Sequence, residues 1–226
     1  MPFIPGKFNL DNLTLSLNAT HPSSNMSEYD VHSLFGHMQA MKTKDVLDNN
    51  ITSMQGKRNF IMSRNTFTSS GKYASHWLGN NQADWTDMAY GISNIMNFNM
   101  FGIPVTGPDT CGYYGQTNET EEMCARWIQL ASFFPFARQN SDGTPNQPYE
   151  MSDTHQKWVK NALNQRLQYT RHMYSCLRDV RDMGGTCFDP LFFHYPTELE
   201  TFTKIEHSFI FANALKVTPV LSQEDS

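Results

Sequence analysis

Apolar residues recur at helical spacing in four stretches of this chain. Residues 31–47 place Leu34, Phe35, Met38 and Met41 on one face, the i, i+3/i+4 pattern of an amphipathic helix. Met88, Ile92, Ile95 and Met96 mark a second helix, which runs up to a turn at 98–104. Met123, Trp127, Leu130 and Phe134 mark a third, opened by Glu119, Glu121 and Glu122; acidic side chains suit the positive end of a helix dipole. Val159, Leu163, Arg166, Leu167, Thr170, Met173 and Leu177 trace a long fourth helix that stops at Gly184-Gly185, a C-terminal signal.

Short apolar runs lie between these helices. Phe60-Ile61-Met62 and His76-Trp77-Leu78 read as buried strands, followed by Pro104-Val105-Thr106 and Phe134-Pro135-Phe136. Residues 190–195 and 209–221 read as strand-like with turns between. Residues 1–28 and 141–149 hold Pro, Gly, Asn and Ser without sustained periodicity and read as loops. The pattern is α/β, and periodicity alone says no more.

Seven blocks carry a resemblance. Between Ser63 and Trp85 the chain reads SRNTFTSSGKYASHWLGNNQADW. Residues 29–36 read YDVHSLFG, residues 98–104 FNMFGIP and residues 107–113 GPDTCGY. Residues 121–130 read EEMCARWIQL, and PLFF at 190–193 and VTPVL at 217–221 follow. In these blocks, their order and their spacing, most of the chain resembles the retaining α-glucosidases of glycoside hydrolase family 31. The resemblance implies strands five to eight of a (β/α)8 TIM barrel followed by the start of a β-sandwich domain. The expected divisions are an extended linker over 1–28, the second half of the barrel over 29–187, and the start of the β domain over 188–226.

In the family pattern S-R-S-T-F-x-x-x-G-x-x-x-x-H-W-x-G-D-N the aspartate after W-x-G serves as general acid/base. This chain has Asn80 there. A retaining glycosidase uses two carboxyl groups about 5 Å apart, one as nucleophile and one as proton donor. An amide has no proton to give near neutral pH. The competing reading is that a neighbour such as Asp84 takes over the role. The family's nucleophile, in an I-D-M-N-E block, has no counterpart among the 226 residues. A third departure is at Gln139: the family reads F-x-R-N-H-N, its histidine contacting the sugar, where this chain reads Phe136-Ala137-Arg138-Gln139-Asn140. Residues that shape the family's sugar pocket are retained as Arg64, Trp77, Asp109 and, in place of Phe, Tyr113.

These departures imply a family 31-like portion that has lost hydrolysis and serves in glycan binding or as a structural component of an assembly. The alternative is part of an active retaining α-glucosidase cleaving α-1,4-glucosidic bonds, its nucleophile supplied by an N-terminal portion. Half a barrel leaves strand edges and an apolar face uncovered. The expected partner is therefore the missing N-terminal half or another polypeptide, with an α-glucoside or glycan as ligand.

Composition narrows the rest. A net charge of −5 gives no reason to expect nucleic acid or an anionic membrane as partner. Aromatics at 13% and charged residues at 17% suit a folded, carbohydrate-type surface rather than a disordered one. No cofactor or metal is expected, the thirteen Met residues reading as core filler. No run of about eighteen apolar residues occurs, so no transmembrane helix is expected. By resemblance Cys111 and Cys124 form a disulfide, while the pairing of Cys176 and Cys187 stays open. Sequons stand at Asn12, Asn18, Asn25, Asn50 and Asn118. Together these imply the secretory pathway, with a lysosomal or extracellular destination. Because residues 1–10 lack signal-peptide character, Met1 is expected not to be the true start.

Overall fold

The computed structural model describes residues 14–117, 120–143 and 145–223. A two-residue hairpin, β1 (Thr20–His21) against β2 (Met26–Ser27), stands within the stretch read as loop. Ser27 and Asp30 then form a reciprocal capping box that starts α1 (Glu28–Val31), so the helix opens earlier than its apolar pattern suggested. The chain tightens into a 3₁₀ turn at His32–Leu34 before α2 (Phe35–Asn49). Gly36 belongs here because a Cβ would lie 2.5 Å from the Asn65 side chain. The predicted apolar face of α2 is exposed among the described residues: Phe35 is 59% and Met38 57% exposed.

Five short strands follow: β3 (Met62–Ser63), β4 (Ser75–Trp77), β5 (Thr106–Gly107), β6 (Asp109–Thr110) and β7 (Arg138–Gln139). All pair parallel, β3 to β4 to β5 and β6 to β7. Pro108 separates β5 from β6, and proline has no N–H to give a ladder. The run 106–110 therefore bonds β4 with its first half and β7 with its second, placing four parallel runs in chain order. Helix α3 (Trp85–Met100) connects β4 to β5, and α4 (Glu121–Ala131) connects β6 to β7. This is the strand–helix alternation of a parallel α/β barrel.

Two strand expectations shift. Only Met62 of the 60–62 run pairs, and Phe60 is 65% exposed, because β3 is an edge strand with a neighbour on one side only. The 134–136 run is not a strand. Phe134 closes a turn on Ala131 and is buried in the core, Pro135 has no N–H, and the ladder forms at Arg138–Gln139 instead. Phe136 still donates its N–H to the Thr106 carbonyl at 3.2 Å. That close approach requires Gly107, since a Cβ there would sit 2.0 Å from the Phe136 carbonyl oxygen.

Helix α5 (Asp153–Met183) ends at Gly184, whose φ of 81° suits glycine. Beyond it, β8 (Phe188–Pro190), β9 (Phe209–Phe211) and β10 (Leu215–Val217) form an antiparallel sheet in the order β10–β9–β8. The stretch 190–195, read as extended, is instead the short helix α6 (Leu191–His194) after Pro190. A run such as Leu191-Phe192-Phe193 does not distinguish strand from helix by periodicity.

The main core lies between α3, α4, α5 and this sheet, with Met88, Ile92, Trp127, Phe134, Phe188 and Phe209 buried in it. Arg166 reaches from α5 to the end of α4. Its Nη1 donates to the carbonyls of Ala131, Ser132 and Phe134 at 3.0, 3.1 and 2.7 Å. Disulfides join Cys111 to Cys124 and Cys176 to Cys187. Among the described residues no helix is long and apolar enough to cross a membrane.

Candidate functional site

The C-terminal ends of the parallel strands bring one polar cluster together. Arg64 follows β3, Trp77 ends β4, Asp109 opens β6, and Arg138 and Asn140 come from β7 and the residue beyond it. Asp109 is fully buried at the centre. Its Oδ1 accepts from Trp77 Nε1 at 2.9 Å, and its Oδ2 accepts from Asn140 Nδ2 at 3.3 Å. Its own N–H donates to Asn81 Oδ1 at 3.2 Å. Burial pushes the Asp109 carboxyl pKa above its ordinary value, against the hydrogen bonds from Trp77 and Asn140 and the charges of Arg138 and Arg64.

Two guanidinium groups use the Trp77 ring. Arg64 Cζ and Arg138 Cζ each lie 5.1 Å from its centroid, within cation–π range. Arg138 Nη1 also lies 3.9 Å from Asp109 Oδ1. Behind Trp77, His76 stacks on Phe98 at 4.0 Å and meets Thr66 Oγ1 at 2.9 Å through Nδ1. Burial lowers its pKa to about 4.

Asn80 sits three residues past Trp77, after Gly79 turns the chain with a φ of 92°. It is half-buried, and its side chain has no hydrogen-bond partner among the described residues. Asp84 is committed elsewhere: it caps α3, its carboxylate accepting from the Asp87 N–H at 2.7 Å. Asp87 accepts in turn from the Gln82 N–H at 2.6 Å. The loop carrying Asn80 is held against the loop after β6 by a bridge between Gln82 and Tyr114 and by the Tyr113 N–H on the Asn81 carbonyl at 2.7 Å. Gly112 allows this passage, as a Cβ there would come within 2.5 Å of the Ala83 nitrogen.

Arg64, Trp77 and Asp109 are thus brought together, with Asn80 on the loop beside them. Tyr113 joins through its backbone, and its side chain makes no hydrogen bond or ring contact to the cluster. Gln139 turns away. Its Nε2 donates to the Asn146 carbonyl at 2.8 Å and approaches Cys111 Sγ at 3.6 Å. Counted residue by residue from Phe136, the histidine of F-x-R-N-H-N falls on Asn140, and Asn140 is the residue on Asp109. Arg138, Asn140 and Asn81 are therefore cluster members that the sequence reading did not select. Cys111, buried with a φ of 71°, fixes the chain two residues after Asp109 through its bond to Cys124.

Asn18, Asn25 and Asn50 are exposed, whereas Asn12 and Asn118 lie outside the described residues. Among the described residues no group of three or more His, Cys, Asp or Glu could hold a metal ion.

Comparisons give this geometry relatives. The family description "Glycosyl hydrolases family 31 TIM-barrel domain" matches residues 5–176. A protein of Oryza sativa subsp. japonica named as a probable alpha-glucosidase is 38% identical over 213 residues, covering 94% of this chain and 23% of its own length. The lysosomal alpha-glucosidase of Rattus norvegicus is 32% identical over 222 residues, 97% of this chain and 23% of its own length. A solved glucosidase II alpha subunit superposes with a TM-score of 0.86 at 25% identity, over 94% of this chain and 23% of that one. The chain spans about a quarter of the length of these relatives.

Proposed function

This chain belongs to glycosyl hydrolase family 31, and from that premise we propose that it is an α-glucosidase-like barrel portion that binds a glycan or builds an assembly without hydrolysing glycosidic bonds. Asn80 carries the reading. It stands where the family's pattern has the acid/base aspartate, at the C-terminal end of β4, the end at which barrel enzymes place their chemistry. Replacing a carboxylic acid by an amide removes general acid/base help worth about two to four powers of ten in rate.

Two observations argue against a local substitute. Asp84 is occupied as the cap of α3. Asp109 is fully buried, both of its carboxylate oxygens accepting hydrogen bonds. The pocket-shaping set nonetheless stays assembled, which suits binding without turnover.

In the same reading the four parallel runs are strands five to eight of the barrel and β8–β10 begin the β domain. Residues 1–28 serve as linker, 29–187 as barrel and 188–226 as β domain. The exposed face of α2 beside edge strand β3 is where the other half of the barrel, on this or another polypeptide, would pack. Two disulfides and exposed sequons favour maturation in the secretory pathway, with a lysosomal or extracellular destination.

A second reading keeps hydrolysis. The intact Arg64–Trp77–Asp109 cluster and the α-glucosidase names of its relatives favour an active retaining enzyme whose nucleophile comes from a portion beyond these residues. Incubation of the purified protein, in the assembly in which it occurs, with maltose and an aryl α-glucoside separates the two. No glucose release is expected. Turnover at an ordinary rate of about 1–1000 per second would overturn the inactive reading. Asn80→Asp in an assembly that contains the nucleophile should raise a residual rate by about two to four powers of ten.

A further inference from the structure

Glu28, the first residue of α1, is a buried carboxylate that the strand-end cluster does not use. It is 2% exposed, a burial that added polypeptide can only increase. Both of its oxygens meet an imidazole. His21 Nε2, from β1, lies 2.7 Å from Oε2, and His32 Nδ1, in the turn after α1, lies 3.1 Å from Oε1. Each ring addresses a different oxygen, and the three side chains tie β1, α1 and the following turn to one another.

Few other ties hold this segment among the described residues. The β1–β2 ladder is two residues long, and an isolated hairpin is marginal in water. Its backbone bonds to α1 run from the Glu28 N–H to the Ala19 carbonyl at 2.7 Å and from the Tyr29 N–H to the Leu17 carbonyl at 3.1 Å. Tyr29 and Asp30 are the other ionisable side chains between residues 14 and 34. Asp30 is taken by Ser27 Oγ at 2.6 Å, and Tyr29 is exposed. At the start of α2, His37 bonds Ser70 Oγ at 2.8 Å and Lys42 pairs with Asp45. The His21 hydrogen bond holds the Glu28 carboxyl below its ordinary pKa against the cost of burial, and His32 adds to it. The carboxylate therefore stays charged where imidazoles take up protons.

We propose that His21, Glu28 and His32 form an acid-strengthened clasp that fixes residues 14–27 against α1 and loosens them as pH rises. Imidazole is the side chain that changes its charge between about pH 5 and 8. With both rings protonated the buried carboxylate faces two cations; with both neutral it keeps hydrogen bonds alone. The added stabilisation is complete at the acid end of that range and is lost as pH rises through it. The order of the segment that leads into the barrel helices is thereby set by the acidity of its surroundings.

Amide hydrogen exchange read by mass spectrometry tests this on the natively produced protein, in the assembly in which it occurs. Peptides covering residues 14–32 are compared with peptides of α4 from pH 5 to pH 8, after correction for the intrinsic pH dependence of exchange. Protection of 14–32 relative to α4 should fall about fivefold or more toward pH 8, the upper range for one part-exposed ion pair. Glu28→Gln keeps the shape and one acceptor but removes the charge, and should flatten the profile to within about twofold. His21→Gln and His32→Gln, on part-exposed rings, should each shrink the fall, and they serve where Glu28→Gln does not assemble. Protection independent of pH in the wild type would overturn the proposal, as would protection that rises with pH. An equal fall in α4 would show a change of the whole fold and also overturn it. A fall undiminished in Glu28→Gln would show that the carboxylate is not its source. None of these outcomes depends on turnover or on a bound sugar.

Discussion

His76 makes this barrel portion sensitive to acid in a way that can be isolated. The ring lies on β4 beside Trp77, stacked on Phe98, with Thr66 as its hydrogen-bond partner and no acidic side chain bonded to it. Burial lowers its pKa from 6.5 to about 4. In the unfolded chain the imidazole takes up a proton as pH falls through 6.5; in the folded chain it does so only near 4. The folded form is therefore penalised progressively between those values and levels off below them. At about 1.4 kcal/mol per tenfold, the full difference is about 3 kcal/mol.

His76→Gln keeps a polar side chain and removes the titration. Thermal unfolding of wild type and variant, in whichever soluble assembly contains the chain, should be followed from pH 7 to pH 4. The variant starts lower at pH 7, because it loses the Phe98 stacking. The gap should then narrow or reverse by about 3 kcal/mol on acidification, roughly 6–10 °C for a chain of this size. Asp87 and Asp109, whose pKa values burial raises, work in the opposite sense, gaining stability as pH falls. They are common to both proteins and cancel in the comparison. Parallel stability curves over this range would refute the assignment of a neutral, half-buried His76.

Arg166→Met removes a half-buried cation that serves three carbonyls at the end of α4; a loss of about 1–3 kcal/mol is expected in thermal unfolding, and an unchanged midpoint would show that water replaces it. Enzymatic removal of N-linked glycans should increase gel mobility of the natively produced protein through Asn18, Asn25 or Asn50, which are exposed. Unchanged mobility together with four free thiols under non-reducing labelling would refute passage through an oxidising lumen. Expressed by itself, the chain should aggregate or dimerise through the α2 face that exposes Phe35 and Met38, and co-expression with strands one to four of a family barrel should restore solubility. A sharply unfolding monomer would refute that expectation.

The helices were legible because their signals are redundant. Helix α3 carries four apolar residues at helical spacing, and α5 combines periodicity with Gly184 at its end. The strands were less legible because each paired segment holds only two or three residues, too few for a period of two to register. Helix α2 shows a different limit. Its apolar pattern predicts a helix, yet a pattern says that a face should be covered and not by what, and among the described residues nothing covers Phe35 or Met38. The Cys176–Cys187 pair was undecided for a related reason, since spacing does not reveal that the end of α5 returns beside β8.

The misplacement at Gln139 has a physical explanation that the sequence already contained. Successive residues of a strand point to opposite faces, so Arg138 and Asn140 must share one side of β7 and Gln139 must take the other. The structure follows that rule: Arg138 and Asn140 meet Asp109 and Trp77, while Gln139 reaches Asn146 and Cys111. Alternation thus assigns to the cluster one cation and one amide that motif reading alone had passed over. It also changes what the cluster is. With Asn140 and Trp77 bonded to Asp109 and Arg138 beside the indole, the cluster's carboxylate takes its hydrogen bonds from within the cluster. Arg138 and Asn140 therefore belong with Trp77 around Asp109, and Gln139 belongs to the loop that carries Asn146.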